Sequence, residues 1–273
     1  MALNWIDVND FSIHSLLLLE RFQIRLLLAQ ADRPDARQAL ATVLAAHPAE
    51  RWTLAHRCPE RAALVDTLAA EGPADPNAAE LRRAEVAMMA SVEDFITYTE
   101  PERMDERCDF IYGWQPQRLH ELVDLKDKLV LDVGSGSGRL AFAAAPLARM
   151  VVAVEPVGTL REYLRDKIAR EGIANMRVAD GMADALPFLD ATFDVVMSGH
   201  VVGDDYEGEI AELVRVTRPG GWLIDCPGED SRKHGPNEGL RSRGWQEFHY
   251  TSVFGGDVWR YRTPAGPAAI AAQ

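Results

Sequence analysis

Positive charge is scarce in this sequence: 29 Lys and Arg stand against 42 Asp and Glu, a formal net charge of −13 over 273 residues. A field of that sign repels phosphate backbones, so no nucleic acid is expected as a partner. The one basic cluster, Arg161, Arg165, Lys167 and Arg170, has helical spacing and reads as a solvated helix face. Cysteine is scarce too. Cys58, Cys108 and Cys226 are odd in number and far apart, which excludes a disulfide framework and a zinc or iron–sulfur signature. No metal is expected, and the set fits a reducing, cytoplasmic compartment. Long apolar runs are missing. Leu16–Leu19 is interrupted by Glu20, Arg21 and Arg25 before the roughly 20 apolar residues of a membrane span accumulate. Asp7 and Asp10 occupy the place of a basic leader region, so neither a secretory signal nor a membrane association is expected. Internal repeats and long low-complexity segments are absent.

Strand-like runs are absent before about residue 128. The first hundred residues read as helices: 12–31, with apolar residues spreading beyond one stripe, then 34–47, 59–71, and a fourth after the breaker Gly72–Pro76. The wide apolar face of residues 13–28 predicts burial on several sides or a homodimer contact. Beyond residue 128 short β-rich runs alternate with helical stretches, which is the pattern of a parallel sheet flanked by helices. The predicted strands are Leu129–Val133, Met150–Val154, Met176–Ala179, Phe193–Ser198 and Trp222–Asp225. The intervening helices are placed at 138–147, 157–171 and 204–217. Trp245–Phe254 and Val258–Thr263, joined by Gly255-Gly256-Asp257, read as an antiparallel hairpin. Its aromatic residues are read as sheet packing. The expected fold is α/β: a doubly wound, mostly parallel seven-stranded sheet with an antiparallel terminal hairpin, preceded by a helical section. The expected division is 1–105 helical, 106–263 Rossmann-like, and 264–273 a flexible tail.

The chemistry concentrates at Leu129-Val130-Leu131-Asp132-Val133-Gly134-Ser135-Gly136-Ser137-Gly138. An apolar strand runs into a loop with glycine at every second position, and a helix follows. Such a loop turns tightly and lets a ligand approach the backbone. It stands at the carboxyl end of the first parallel strand, where open α/β sheets bind ligands. Glu155, 23 positions after Asp132, ends the second strand beside Pro156. A carboxylate there accepts from the ribose hydroxyls of a nucleoside, or else serves the dipole of the next helix. Asp180-Gly181-Met182 ends the third strand, either as an acceptor for an amino group with a purine alongside or as a plain turn. Ser198-Gly199-His200 ends the fourth, and Arg218-Pro219-Gly220-Gly221 precedes the fifth.

These motifs together resemble a class I S-adenosylmethionine (SAM)-dependent methyltransferase, of the broad group that includes the ubiquinone/menaquinone-biosynthesis type, over about residues 108–263. The resemblance implies SAM as cofactor. Gly134, Ser135 and Gly136 would cradle its methionine part, with Gly138 completing the loop motif. Asp132 would orient the loop and the bound amino group, and Glu155 would hold the ribose. Asp180 would face the adenine amino group, Gly181 and Met182 would flank the ring, and Ser198 and Gly199 would line the floor beneath the sulfonium. An aromatic segment upstream of the glycine loop closes over SAM in similar enzymes. Tyr98, Tyr112 and Trp114 are the candidates here, the alternative being that they pack the helical section. The terminal hairpin matches the family's antiparallel strand pair, which NAD-binding domains lack.

Methyl transfer from a sulfonium needs alignment more than acid–base chemistry. His200 is the candidate base for an acceptor that must lose a proton, and a structural loop histidine is the alternative. Asp204 and Asp205 suggest a helix cap rather than metal ligands. The fourth strand lacks the Asn/Asp-Pro-Pro-Tyr/Phe motif of amino-directed nucleic-acid and protein methyltransferases, and a Pro-Cys nucleophile is also missing. The expectation is therefore a small-molecule methyl acceptor. Two alternatives remain open: a non-catalytic SAM-binding protein whose helical section recruits a partner, and an NAD-dependent oxidoreductase, whose G-x-G-x-x-G order would place the third glycine one position later than Gly138.

Overall fold

Two units, Met1–Pro101 and Glu102–Gln273, divide the chain in the computed structural model, which describes residues 6–108, 110–229 and 235–270. The first unit is helical. Its opening segment is not one helix. Ile13–Leu18 is a 3₁₀ turn, Leu19 is extended, and α1 (Arg21–Ala29) starts afresh. The cause is local: the Gln23 side chain accepts from the Glu20 backbone N–H at 2.8 Å, the reciprocal half of a capping box. The next helix, α2 (Pro34–Ala46), follows the prediction, but α3 (Pro48–Arg57) was not anticipated. Pro48 draws His47 out of the helical region and then opens α3 from its first position. The remaining helices are α4 (Ala62–Glu71), α5 (Ala78–Ala90) and the short α6 (Glu93–Ile96).

The core of this unit gathers Leu16, Leu19, Ile24, Leu27, Leu40, Leu44, Leu54 and Met89, each buried to 1% exposure or less. Most of the apolar face of residues 13–28 is therefore used by the unit's own interior, and Leu18 and Leu26 stay on the surface. Its buried acids are paired within the unit. Glu50 meets His14, and Glu85 takes His47 at 2.8 Å and Arg82 at 3.0 Å.

The second unit begins within α7 (Pro101–Arg107), and α8 (Gln117–His120) precedes the sheet. The strands are β1 (Leu129–Val133), β2 (Met150–Val154), β3 (Met176–Ala179), β4 (Phe193–Ser198), β5 (Thr217–Asp225), β6 (Gln246–Thr251) and β7 (Asp257–Pro264). Between them lie α9 (Arg139–Ala144), α10 (Gly158–Glu171), α11 (Tyr206–Val216) and α12 (Glu238–Arg241). The order is β3-β2-β1-β4-β5-β7-β6, with β1 to β5 parallel and β7 antiparallel to both β5 and β6. This is the expected doubly wound, mostly parallel sheet with its terminal hairpin.

Neighbouring strand residues feed opposite faces of the sheet. Val130, Val151, Val195 and Met197 join the layer of α8, α9 and α10, while Leu131, Val196 and Leu223 join that of α11 and α12. Burial on both faces makes these strands continuous apolar runs. β5 starts five residues earlier than predicted. Pro219-Gly220-Gly221 lies inside it, where the pairing with β4 shifts between Phe193 and Val195. Residues 264–270, expected as a flexible tail, have definite partners. Ala265 N–H donates to Gly221, Trp245 Nε1 donates to the Ala269 carbonyl, and Ala269 is 1% exposed. Among the described residues no helix is long and apolar enough to cross a membrane.

Candidate functional site

The loop after β1 is shaped by three glycines with φ of +64° (Gly134), +56° (Gly136) and +99° (Gly138). A side chain would strain the backbone at each. At Gly138 space forbids one as well, because an ideal Cβ would lie 2.6 Å from Phe142 and 2.8 Å from Leu164. At Gly136 the opposite holds: nothing lies within 4 Å of that point. Val201, just past β4, packs against Gly134. The loop is tied at both ends. Ser135 N–H donates to the Val154 carbonyl at 3.0 Å and its hydroxyl to the Asp132 carbonyl at 2.9 Å. The Asp132 carboxylate accepts from Ala141 N–H at 3.0 Å, joining β1 to the first turn of α9.

Glu155 closes the arrangement from β2. One carboxylate oxygen accepts from Gly136 N–H and the other from Val157 N–H, both at 2.9 Å. Burial pushes the Glu155 carboxyl up to about 7, against the pull of those two N–H groups and of Arg161. Burial likewise pushes Asp132 up to about 7, opposed by the nearby Arg139 guanidinium. Pro156 links Glu155 to α10. Asp180, past β3, exposes 69% of its side chain and takes one bond from Arg161 at 3.1 Å. Gly181 abuts Pro187 and Val154, and Met182 is 40% exposed.

At the end of β4, Ser198 is buried and its hydroxyl lies 3.4 Å from Asp225 on β5. Asp225 is also pushed up to about 7 by burial. Gly199 is where chains crowd: an ideal Cβ would meet Arg139 Nη2 at 2.6 Å and the Cys226 carbonyl at 2.7 Å. His200 adopts a left-handed backbone, φ +66°, uncommon outside glycine. Its Nε2 accepts from Gly228 N–H at 3.4 Å, and its ring centroid is 4.9 Å from that of Phe110. Trp114 lies 4.7 Å from the Arg139 guanidinium, and Tyr112 is 62% exposed. Tyr98 belongs to the first unit, beside Phe95. Asp205 caps α11 by accepting from Gly208 N–H. Among the described residues no group of His, Cys, Asp and Glu is arranged to hold a metal ion.

Three residues escaped the sequence reading. Arg161 and Lys167, expected on a solvated face with Arg165 and Arg170, expose only 15% and 18% of their side chains. Arg161 donates to the Glu155 carbonyl at 2.8 Å as well as to Asp180. Lys167 donates to Asp105 at 2.6 Å, as does Tyr163, and lies 3.3 Å from the Ser137 carbonyl. The edge of α10 nearest the glycine loop is polar because it serves the loop, and only Arg165 and Arg170 match the expectation. The third is Arg139, first residue of α9. Its place directly after the last glycine was the available signal.

Comparison with known proteins agrees with this geometry. A family described as a methyltransferase domain matches residues 131–225. An uncharacterized protein of Mycobacterium tuberculosis is 36% identical over 96 residues, covering 34% of this chain and 35% of its own length. The ubiquinone/menaquinone biosynthesis C-methyltransferase of Marinomonas is 32% identical over 101 residues, covering 35% of this chain and 40% of its own length. The chain thus spans well under half the length of these two relatives. Among solved structures, a SAM-dependent methyltransferase from Aquifex aeolicus aligns with a TM-score of 0.50 at 17% identity, over 61% of this chain and 99% of that one, a likeness of fold.

Proposed function

We propose, for a chain whose second unit is a class I SAM-dependent methyltransferase domain, that it moves the methyl group of SAM to a small-molecule acceptor by in-line displacement. One observation carries this reading: the 2.9 Å bond from Gly136 N–H to Glu155, which gathers the glycine loop and the acid of β2 at one place. The surroundings suit an adenosyl ligand. The space beside Gly136 is open. Each Glu155 oxygen accepts one N–H and retains a further acceptor site for a ribose hydroxyl. Asp180 presents an exposed carboxylate for an amino group.

In this reading Gly134, Ser135 and Gly136 hold the methionine part, Asp132 fixes their turn, and Gly181 and Met182 flank the adenine. When bound, SAM supplies an activated methyl on a sulfonium. The chain aligns an acceptor against that methyl over Ser198 and Gly199 and keeps water out. A protic acceptor gives its proton to His200 or to solvent. The left-handed His200 backbone supports a role beyond packing. To act as a base through Nε2, His200 must release the long bond from Gly228. The relative named as a ubiquinone/menaquinone biosynthesis C-methyltransferase supports a small acceptor, and three scattered, buried cysteines support the reducing cytoplasm.

Equilibrium binding tests the donor site. SAM should bind the wild type, and Glu155→Ala should weaken binding by about tenfold to a hundredfold, the worth of a charged hydrogen-bond acceptor. Unchanged affinity rejects the assignment. Methyl-labelled SAM with a cell extract then tests the acceptor: label in small products supports the reading, and label confined to macromolecules rejects it.

A further inference from the structure

The turn Arg218-Pro219-Gly220-Gly221 has no part in the donor site, and it borders a second opening in the sheet. A cavity of about 260 Å³ lies at the amino ends of β1, β4 and β5, with Asp124, Lys128, Asp194, Arg218, Gly220 and Trp222 in its wall. The glycine loop stands at the other end of β1, roughly 20 Å away along the strand. The pairing of β4 with β5 slips between Phe193 and Val195, so the ladder is interrupted beside the cavity. Gly220 takes φ +80°, and nothing lies within 4 Å of the place of its Cβ, so a ligand can approach the backbone there. Sites for drug-sized molecules span about 300–1,000 Å³, so this one suits a smaller metabolite.

The charges in the wall do not all cancel. Both oxygens of Asp194 are taken, one by Arg218 Nη1 and one by Leu129 N–H, each at 2.8 Å. Against the raising effect of burial, those bonds hold its carboxyl below the ordinary carboxylate range. Asp194 and Arg218 thus neutralise each other. The Ala191 carbonyl accepts from Arg218 Nε at 3.4 Å, and Nη2 has no partner among the described residues. Asp124 and Lys128 are exposed and opposite in charge, yet among the described residues neither carries an ion pair. Asp124 accepts only from Lys126 N–H, through Oδ1, which leaves Oδ2 open.

We propose that this cavity binds a small zwitterion of the α-amino-acid kind. The ligand's carboxylate meets the Lys128 ammonium and Arg218 Nη2, and its ammonium meets Asp124. The balance of charge selects that class. With Asp194 and Arg218 paired, one positive and one negative head remain, and a ligand that carries both signs satisfies both. A simple anion satisfies Lys128 but is repelled by Asp124. Trp222 supplies apolar surface for a side chain. The site shares no residue with the donor site and does not depend on it.

The test is ligand-observed NMR on the full chain without SAM, with the standard amino acids as probes, one at a time. At least one binds the wild type. Lys128→Met and Asp124→Asn each weaken that binding by about tenfold, the worth of one charge-assisted hydrogen bond. Both side chains are exposed, and the amide of Asp124→Asn still accepts from Lys126 N–H, so neither substitution threatens the fold. The sign at Asp124 decides the class: a site that reads only a carboxylate gains affinity when its own carboxylate is removed, whereas a zwitterion site loses it. Derivatives of the bound amino acid repeat the test on the wild type alone. Its methyl ester and its N-acetyl form each lack one charge, and each binds about tenfold more weakly. The proposal is overturned if no amino acid binds, if Asp124→Asn tightens binding, or if either substitution or either derivative leaves the affinity unchanged.

Discussion

The two units treat buried polar groups differently. In the first, the buried acids Glu50 and Glu85 are matched by His14, His47 and Arg82, and among the described residues only Gln23 Nε2 is buried without a partner. In the second, Asp105, Trp114, Arg118, Ser137, Arg139 and Arg260 each hold such an atom. Arg118 and Arg260 lie on the ring of Tyr250, at 4.0 and 4.9 Å, a contact that offers their charge a π face. Asp105 and Ser137 both meet Lys167, and Arg139 follows the glycine loop directly. Three buried acids, Asp132, Glu155 and Asp225, also sit at the carboxyl ends of the strands, all pushed up to about 7. A unit that only needs to be stable satisfies its polar groups internally. One that binds a polar ligand leaves some of them waiting, at a cost in its own stability.

The largest effect that would test this contrast belongs to the first unit. Leu54 is fully buried in its core, so Leu54→Ala should cost about 2–5 kcal/mol in chemical unfolding. A loss below about 1 kcal/mol would mean that the site collapses around the gap, and that this core is less closely packed than its burial implies.

Acidity probes the second unit. Free Asp and Glu titrate near 4, whereas Asp132 and Glu155 are held at about 7 by burial. Between those values the folded state keeps protons that the unfolded chain releases. Their contribution is therefore fully present below about pH 4 and is lost as the pH rises through about 7. For the ligand-free protein the loss should be a few kcal/mol, about 1.4 kcal/mol for each unit by which a carboxyl is raised, read as a falling melting temperature between pH 5 and 8. Glu155→Gln, which cannot ionise, should flatten that fall. A wild-type profile already flat would show that the acids are ionised and solvated, and the contrast between the units would weaken.

Such strain was not visible in the sequence, although the frame that creates it was. β1 to β4 were predicted at their observed bounds because strands covered on both faces are short apolar runs cut off by Gly, Pro and Asp. The glycine loop was legible for a related reason: positive φ at three positions leaves a spacing no other residue provides. The misses share a cause as well. The break at Leu19 depends on which side chain reaches which backbone N–H, and α3 hides behind a proline that also ends α2. Arg161 and Lys167 look like surface bases until the helix is packed, when their heads prove to serve Glu155, Asp180 and Asp105. Periodicity locates a face, but it does not say where a long flexible side chain ends.

The smallest effect sharpens the comparison by holding the site out of it. Asn77 caps α5 in the first unit, accepting from Ala79 and Glu80 N–H, and Asp205 caps α11 in the second, accepting from Gly208 N–H. Both caps are local to their own helix, so Asn77→Ala and Asp205→Ala should each cost about 1 kcal/mol. Urea unfolding followed by helix-sensitive circular dichroism would read both. Equal losses mean that the units share the same rules of helix capping, and that their difference lies in the polar groups at the strand ends. A loss at Asp205 well above that at Asn77, accompanied by weaker SAM binding, would show instead that the segment from His200 to Asp205 is held in place for the site's sake, and the left-handed His200 backbone would then be strain that this cap helps to sustain.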